Sequence, residues 1–289
     1  MVFSKHDSYY FKTSDNVNLH YIDKGQGQAI VMIPSWTMSA VQYRYQVEGL
    51  SLKYRTIALD MRGHGESEFV DFGYKVYRFA KDVHELLVHL SLDKVVLLGH
   101  AVGATIVYCY WDLFGLDRLD KLVLVDKSAA TVINAKWTIE EKAQYGAILD
   151  PKSAIDIRNQ LAGEEGEKYK RIFVHSLFSE TLSNEQRVSI LAASMRVPNK
   201  ESATLFYSNA HQDWRDLLPR ITVPTLLIVG RASLVSVASH QWLHQQIKNS
   251  QLVIFEKEEG GNHFSFIENP KKFNRVVDDF IQEQKEEER

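Results

Sequence analysis

The sequence predicts an α/β fold built on a mostly parallel, doubly wound sheet, with a helical cap inserted over one edge of the sheet. Three observations favour this fold. Short apolar runs bounded by turns alternate with helical patterns towards both ends of the chain. The alternation stops between Asp126 and Thr225, where amphipathic helical patterns take over. A chain of 289 residues that is 45% hydrophobic can bury such a sheet in one globular unit.

The predicted strands are the apolar runs at residues 17–22, 29–33, 56–60, 95–98, 122–126, 225–229 and 252–255. The first run alternates between polar and apolar residues, which is typical of an exposed edge strand. The second is continuously apolar and ends at Pro34, as a buried strand does. Only residues 24–28, which include Gly25 and Gly27, separate these two runs, so we expect an antiparallel hairpin there.

Helical patterns occur between the predicted strands, at residues 77–90 and 105–113, and in the insertion, at residues 139–145, 167–178 and 185–195. We therefore expect a core domain formed by residues 1–126 and 218–289, and a helical cap formed by residues 127–217. Ligands of open α/β sheets bind beyond the carboxyl ends of the strands. A cap at that edge would exclude water from the pocket and set the choice of substrate.

The most informative segment is the strand, turn and helix of residues 95–104, VVLLGHAVGA. It has the frame of the G-x-S-x-G nucleophile elbow, in which the central residue lies on a strained turn and its neighbours must be small. Gly99 and Gly103 supply the small residues, but Ala101 stands at the nucleophile position. A methyl group can neither lose a proton nor attack a carbonyl, so we expect the chain as written to be inactive in acyl transfer.

Residues 60–67, DMRGHGES, resemble the D-x-R-G-H-G-x-S loop of the α/β-hydrolase superfamily, especially its ester hydrolase and cofactor-free haloperoxidase-like branches. The elbow and the late run GNHF at residues 261–264 belong to the same resemblance. Together these motifs span the sheet domain, whereas the cap carries no motif of the family. The resemblance implies the α/β-hydrolase fold and a triad in the chain order nucleophile, acid, histidine, which positions 101, 126 and 263 keep.

His263 is the predicted general base. It follows the last predicted strand in a loop that contains Gly260 and Gly261, which suits a residue that must reach over the sheet edge. Its imidazole would take the proton of the nucleophile and return it to the leaving group, while a carboxylate holds the other ring nitrogen. The alternative is a histidine that only caps its loop.

The predicted acid lies on an unusual strand. Most family members carry it after the strand here at residues 225–229, but the turn at residues 230–234 has no carboxylate, and Ser233 stands where an aspartate is expected. Asp126 ends the preceding strand, and the superfamily includes dehalogenases, some lactonases and ring-cleaving dioxygenases with the acid there. We therefore predict that Asp126 orients His263; the alternative is a carboxylate that caps the next helix.

Two backbone amides form the predicted oxyanion hole. Val102 directly follows the nucleophile position at the start of a helix, where amides are unpaired and the helix dipole favours negative charge. Trp36 would supply the second amide from the segment PSW at residues 34–36, where relatives commonly have glycine at the position of Ser35. The alternative for Trp36 is a core aromatic residue whose amide has no chemical role.

Three residues are candidates for substrate binding: Ser35 beside the oxyanion loop, His100 beside the elbow, and Trp137 near the first cap helix, from which it could hang over Ala101. For His100, and for His64 in the R-G-H-G loop, the alternative to a functional role is that of a hydrogen-bonded structural histidine. For Trp137 the alternative is packing within the cap.

Composition narrows the partners. The net charge of −3 gives no strong field for nucleic acid or an anionic membrane, and a single cysteine, Cys109, permits neither an intrachain disulfide nor a cysteine-rich metal site. No P-loop, dinucleotide glycine motif or H-E-x-x-H spacing occurs, so we expect no cofactor and no metal. Without an apolar run of about 20 residues or a signal-peptide pattern, we expect a soluble, cytoplasmic protein with no membrane span. The oligomeric state is not indicated.

The leading functional prediction is a serine hydrolase of a small apolar or aromatic carboxylic ester or lactone, acting through an acyl-enzyme. A second is a cofactor-independent dioxygenase, because PSW at residues 34–36 and DFGY at residues 71–74, with the acid at Asp126, resemble the quinolone ring-cleaving branch, whose serine is not a nucleophile. A third is a natural pseudoenzyme that binds a small apolar ligand in the same pocket.

Ala101 has two explanations under these predictions. It is either a substitution that traps a bound substrate or product, or a natural loss of the nucleophile. The otherwise complete set of predicted catalytic residues favours the substitution.

Overall fold

A computed structural model of the chain describes residues 3–287, and the side chains of residues 3–283. Its strands are β1 (Ser8–Lys12), β2 (Asn18–Lys24), β3 (Ala29–Ile33), β4 (Arg55–Leu59), β5 (Val95–His100), β6 (Leu119–Val125), β7 (Thr225–Gly230) and β8 (Ser250–Phe255). They form one eight-stranded sheet in the order β1-β2-β4-β3-β5-β6-β7-β8. All pairs from β4 to β8 in this order are parallel, whereas β1 with β2 and β2 with β4 are antiparallel. The predicted mostly parallel sheet is confirmed.

The predicted hairpin between the runs at residues 17–22 and 29–33 is wrong. β2 pairs with β1 and β4, and β3 pairs with β4 and β5. Gly25 has φ 85°, and a Cβ there would lie 2.2 Å from the carbonyl oxygen of Tyr54. The chain at Gly25 thus passes close to the backbone that enters β4. This contact, rather than a tight turn, explains why residue 25 is glycine.

The helices flank the sheet or form the insertion: α1 (Arg44–Leu50), α2 (Val76–His89), α3 (Val102–Phe114), α4 (Ile139–Tyr145), α5 (Pro151–Ala162), α6 (Gly166–His175), α7 (Asn184–Arg196), α8 (Asn199–Ala210), α9 (Val237–Gln246), α10 (Ser265–Glu268) and α11 (Pro270–Glu287). Helices α4 to α8 all lie between β6 and β7. Helices α5 and α8 were not predicted from the sequence pattern, although α5 begins with proline and its N-terminal amides donate to the side chain of Asp150.

The centre of the sheet is the most deeply buried part of the molecule. Every residue of β3, β5 and β7 is buried. Helices α2 and α3 pack against each other, as do α1 and α11. Buried parallel strands need helices over both faces of the sheet. The packing of these helices therefore holds in place the strand ends, which carry the site. In the part of the chain that the structure describes, no helix is long and apolar enough to cross a membrane.

Candidate active site

The turn from β5 to α3 has the strained geometry of an elbow. Ala101 lies between the two elements with φ 49° and ψ −110°, a conformation that residues with a side chain rarely adopt. A Cβ on Gly99 would lie 2.4 Å from the carbonyl carbon of Gly103, and one on Gly103 would lie 2.2 Å from the carbonyl oxygen of Ile33. The close packing predicted for both glycines is therefore present, and it holds residue 101 in place.

The structure brings His263 and Asp126 together. Nδ1 of His263 lies 2.6 Å from Oδ2 of Asp126, and both side chains are buried. A carboxylate accepts, so Nδ1 carries a proton, and in the neutral form of the ring Nε2 has the lone pair. His263 lies between β8 and α10, while Asp126 directly follows β6 with φ 54°. The two strand ends thus assemble a pair that can accept a proton at Nε2 and stabilise the resulting imidazolium.

Ser233, in the loop after β7, contacts the same carboxylate. Its Oγ donates a 2.7 Å hydrogen bond to Oδ2 of Asp126. Ser233 stands where an aspartate was expected, and it therefore supports the acid on the neighbouring strand. The other oxygen, Oδ1, is buried and has no hydrogen-bond partner among the described residues.

A cavity of about 240 Å³ lies between the strand ends and the cap. Its lining includes Ala101, Asp126 and His263. The cap contributes apolar side chains from α6 and α8, and the lining is predominantly apolar, as in pockets for small molecules. Ile148 and Leu234 also line the cavity and are more than half exposed, so they mark its opening to solvent.

The predicted oxyanion residues line the same cavity. Val102 is the first residue of α3, where backbone amides have no partner within the helix. Trp36 is fixed by its indole, whose Nε1 donates to the carbonyl of Ser202 at 2.8 Å and whose ring meets Phe173 edge-on. Ser35 lines the cavity beside it. Both predicted oxyanion residues thus border the cavity that Ala101 also lines, and their role as an oxyanion hole stays a prediction.

Two residues expected to contact substrate lie elsewhere. His100 is fully buried behind the cavity wall, and its Nε2 donates to the carbonyl of His263 at 2.8 Å. Burial moves the pKa of His100 well below its ordinary value, so it is a neutral structural residue that positions the loop of His263. Trp137 lines a separate surface cavity, with its ring against Tyr145 and under the guanidinium of Arg215. It is not among the residues that line the cavity of Ala101.

Lys127 also lines the cavity and was not predicted from the sequence. Its Nζ donates a 3.0 Å hydrogen bond to Oγ1 of Thr131, and burial lowers its pKa to about 8. Its place directly after the predicted acid was the available signal, because the residue that follows a strand end enters the same crevice.

Within the described residues, one trio of histidine and carboxylate side chains has ligand-type atoms within 4.8 Å of one another: His100, Asp126 and His263. The hydrogen bonds already given, from His263 to Asp126 and from His100 to the backbone of His263, explain this closeness without a metal. The donor set thus gives no separate reason to place an ion here.

The motif at residues 60–67 supports the fold and does not line the cavity. The carboxylate of Asp60 accepts hydrogen bonds from the backbone amides of Ala40 and Glu66, at 2.6 and 2.9 Å. Arg62 is completely buried and forms a bidentate pair with Asp82, at 2.8 and 2.9 Å. His64 donates from Nδ1 to the carbonyl of Arg62. The structural alternative for His64 fits this placement.

Comparison with known proteins agrees with this architecture. The sequence model of the alpha/beta hydrolase fold family matches residues 28–270. A protein of Synechocystis sp. is 32% identical over 281 residues, covering 94% of this chain and 97% of its own length. The non-heme chloroperoxidase CPO-A1 of Kitasatospora aureofaciens is 27% identical, with 93% of this chain and 98% of its own length covered.

Solved structures share the fold. A bromoperoxidase from Bacillus anthracis superimposes with a TM-score of 0.85 at 24% identity, covering 95% of this chain and 99% of its own. The esterase EaEST from Exiguobacterium antarcticum gives a TM-score of 0.84 at 23% identity, covering 94% and 98%. On the family match and the 32% identical relative, the chain belongs to the alpha/beta hydrolase fold family.

Proposed function

We propose that the cavity is an acyl-transfer site for a small, largely apolar carboxylic ester or lactone, and that alanine at position 101 leaves it without a nucleophile. The observation that carries the proposal is the 2.6 Å pair of His263 and Asp126 in a cavity also lined by Ala101 and Val102. With serine at 101, Nε2 of His263 would accept its proton, and the amides of Val102 and Trp36 would stabilise the oxyanion. An esterase and an enol-lactonase among the structural neighbours are consistent with this substrate class.

The test is the variant Ala101→Ser, assayed on a panel of 4-nitrophenyl esters and lactones. Loss of a triad nucleophile costs on the order of a million-fold in turnover, so we expect hydrolysis to rise at least about a thousand-fold above the chain as written. The matched control is Ala101→Ser combined with His263→Gln, which should return to background. A folded Ala101→Ser protein that leaves the whole panel intact overturns the proposal.

One observation favours a second candidate, base catalysis without a nucleophile. The pair of His263 and Asp126 is complete although residue 101 is alanine. Such a pair can remove the proton of a hydroxyquinolone, whose anion then reacts with oxygen in a cofactor-independent ring cleavage. Part of the sequence resemblance has a structural explanation, however, because Phe72 and Gly73 pack on Arg62.

Oxygen uptake separates the two candidates. A dioxygenase would consume oxygen with a hydroxyquinolone as the chain stands, would lose this activity in His263→Gln, and would not need Ala101→Ser. A pseudoenzyme would bind a small ligand in the cavity and show neither activity, with or without serine at position 101.

A further inference from the structure

Lys127 brings a cationic side chain to a cavity that is otherwise mostly apolar. Among the described residues that line the cavity, it is the only lysine or arginine, and it is 7% exposed. Burial of a charged group is costly unless the group is paired and hydrogen-bonded. A lysine in this position therefore requires a partner.

The described residues satisfy its ammonium only in part. An ammonium has three donors, and Nζ of Lys127 makes one hydrogen bond, to Oγ1 of Thr131. The neighbouring Asp126 attracts it electrostatically, yet the oxygen Oδ2 of Asp126 is already shared by His263 and Ser233. None of the ion pairs within 4.0 Å that the described side chains form involves Lys127.

We propose that Lys127, together with the Thr131 hydroxyl, binds a carboxylate of the ligand, so that the cavity selects molecules with one negative charge on an otherwise apolar or aromatic body. The inference rests on the proposed function in taking this cavity as the ligand site, but not on acyl transfer. It narrows the substrate class to half-esters, or to lactones that carry a free carboxylate.

The surroundings fit such a ligand. Thr131 also lines the cavity, so its hydroxyl and the ammonium can contact the same group. The cap side of the cavity presents Phe173, Leu177 and Phe206, which offer an apolar surface to the body of the ligand. A charge-assisted hydrogen bond in a largely apolar cavity is stronger than one in water, and it would fix the orientation of the ligand.

Direct binding tests the proposal, because the chain as written has no nucleophile to consume an ester. The probes are two matched pairs: 3-phenylpropionate with 3-phenylpropionamide, and 4-phenylbutyrate with 4-phenylbutyramide. The two members of a pair differ in charge but little in shape. By isothermal titration calorimetry we expect each carboxylate to bind at least about ten-fold more tightly than its amide. Equal affinity within both pairs, or no carboxylate binding up to about 10 mM, overturns the proposal.

The variant Lys127→Met removes the charge and keeps the length of the side chain. It should weaken carboxylate binding to the level of the amide while amide binding changes less than about three-fold, and Lys127→Arg should keep part of the preference. Thermal unfolding checks that each variant is folded; replacement of an unpaired buried cation by methionine is expected to be tolerated. An undiminished preference in folded Lys127→Met overturns the role of Lys127.

A kinetic measurement in the Ala101→Ser background distinguishes this inference from the proposed function. The probes are 4-nitrophenyl hydrogen glutarate, which has a free carboxylate, and the neutral 4-nitrophenyl pentanoate. We expect Lys127→Met to raise the ratio of KM for the glutarate to KM for the pentanoate about ten-fold, because only the glutarate carries the carboxylate. Hydrolysis without this charge preference rejects the anion site alone. Lys127-dependent carboxylate binding without hydrolysis rejects acyl transfer alone.

Discussion

The hydroxyl of Ser233 donates a 2.7 Å hydrogen bond to Oδ2 of Asp126, the oxygen that also accepts Nδ1–H of His263 at 2.6 Å. Ser233 follows β7 and Asp126 follows β6, and these strands are parallel neighbours. Side chains from two adjacent strand ends therefore meet at one carboxylate oxygen.

This relationship predicts that the acid can be relocated. In the Ala101→Ser background, Asp126→Ala should lower kcat about a thousand-fold or more, because no carboxylate then stabilises the imidazolium or selects its tautomer. Adding Ser233→Asp should recover at least about ten-fold, since the alanine leaves the position of Oδ2 free and the residue at 233 lies within hydrogen-bond distance of that position. Hydrolysis rates of the three proteins provide the measurement, with Ser233→Asn as the matched control for size. No recovery with aspartate would contradict the shared position.

The backbone of the elbow predicts that Ala101→Gly and Gly103→Ala change the free energy of unfolding in opposite directions. Ala101→Gly should raise the free energy of unfolding by up to about 1 kcal/mol, because glycine adopts φ 49° without strain. Gly103→Ala should lower it by at least about 2 kcal/mol, because the new Cβ meets the carbonyl oxygen of Ile33 at 2.2 Å. Urea unfolding of the two variants checks both values; a destabilised Ala101→Gly would show that the elbow is unstrained.

Burial of His64 predicts a pH dependence of stability. Burial lowers the pKa of His64 to about 4, whereas an exposed histidine in the unfolded chain titrates near 6.5. The unfolded state therefore binds more protons as the pH falls from about 6.5 towards 4, and the folded state loses stability in that range. His64→Asn keeps a donor for the carbonyl of Arg62 but does not titrate. Between pH 7.5 and 5, the His64→Asn variant should lose about 1–2 kcal/mol less unfolding free energy than the unchanged chain.

Urea unfolding at the two pH values measures this difference. His244→Asn is the matched control, because His244 is an exposed histidine on α9 and bonds only near the surface. The control should leave the pH dependence nearly unchanged. An unaltered pH dependence in His64→Asn would show that His64 takes up a proton in the folded state.

The sheet was predictable where apolar runs are short, continuous and bounded by turns, as in β3, β5 and β7. Sequence pattern failed at β1, because Tyr9 and Tyr10 are both about half exposed and give no apolar face to recognise. The hairpin error has a different origin. Gly25 is required by a contact with Tyr54, which is distant in sequence, and a local turn rule does not include such contacts.

Within the site, the motifs shared with the family and the chain order that they imply indicated positions 101, 126 and 263, and all three line one cavity. Such agreement is expected because the carboxyl ends of parallel strands share one edge. The orientation of individual side chains depends on packing in three dimensions and was not predictable in this way. His100 and Trp137 are adjacent in sequence to the right elements but point elsewhere. Lys127 lies one residue beyond the predicted acid, yet its role depends on which neighbours leave its ammonium unpaired.

The elbow has a practical consequence. Its close packing involves Gly99, Gly103 and Ile33, and residue 101 also lines the cavity. Residue 101 is thus a suitable site for covalent labelling at the wall of an apolar chamber. A cysteine introduced there would stand at the amino end of α3, where a thiolate is stabilised, and would accept electrophilic labels that report on the chamber's contents.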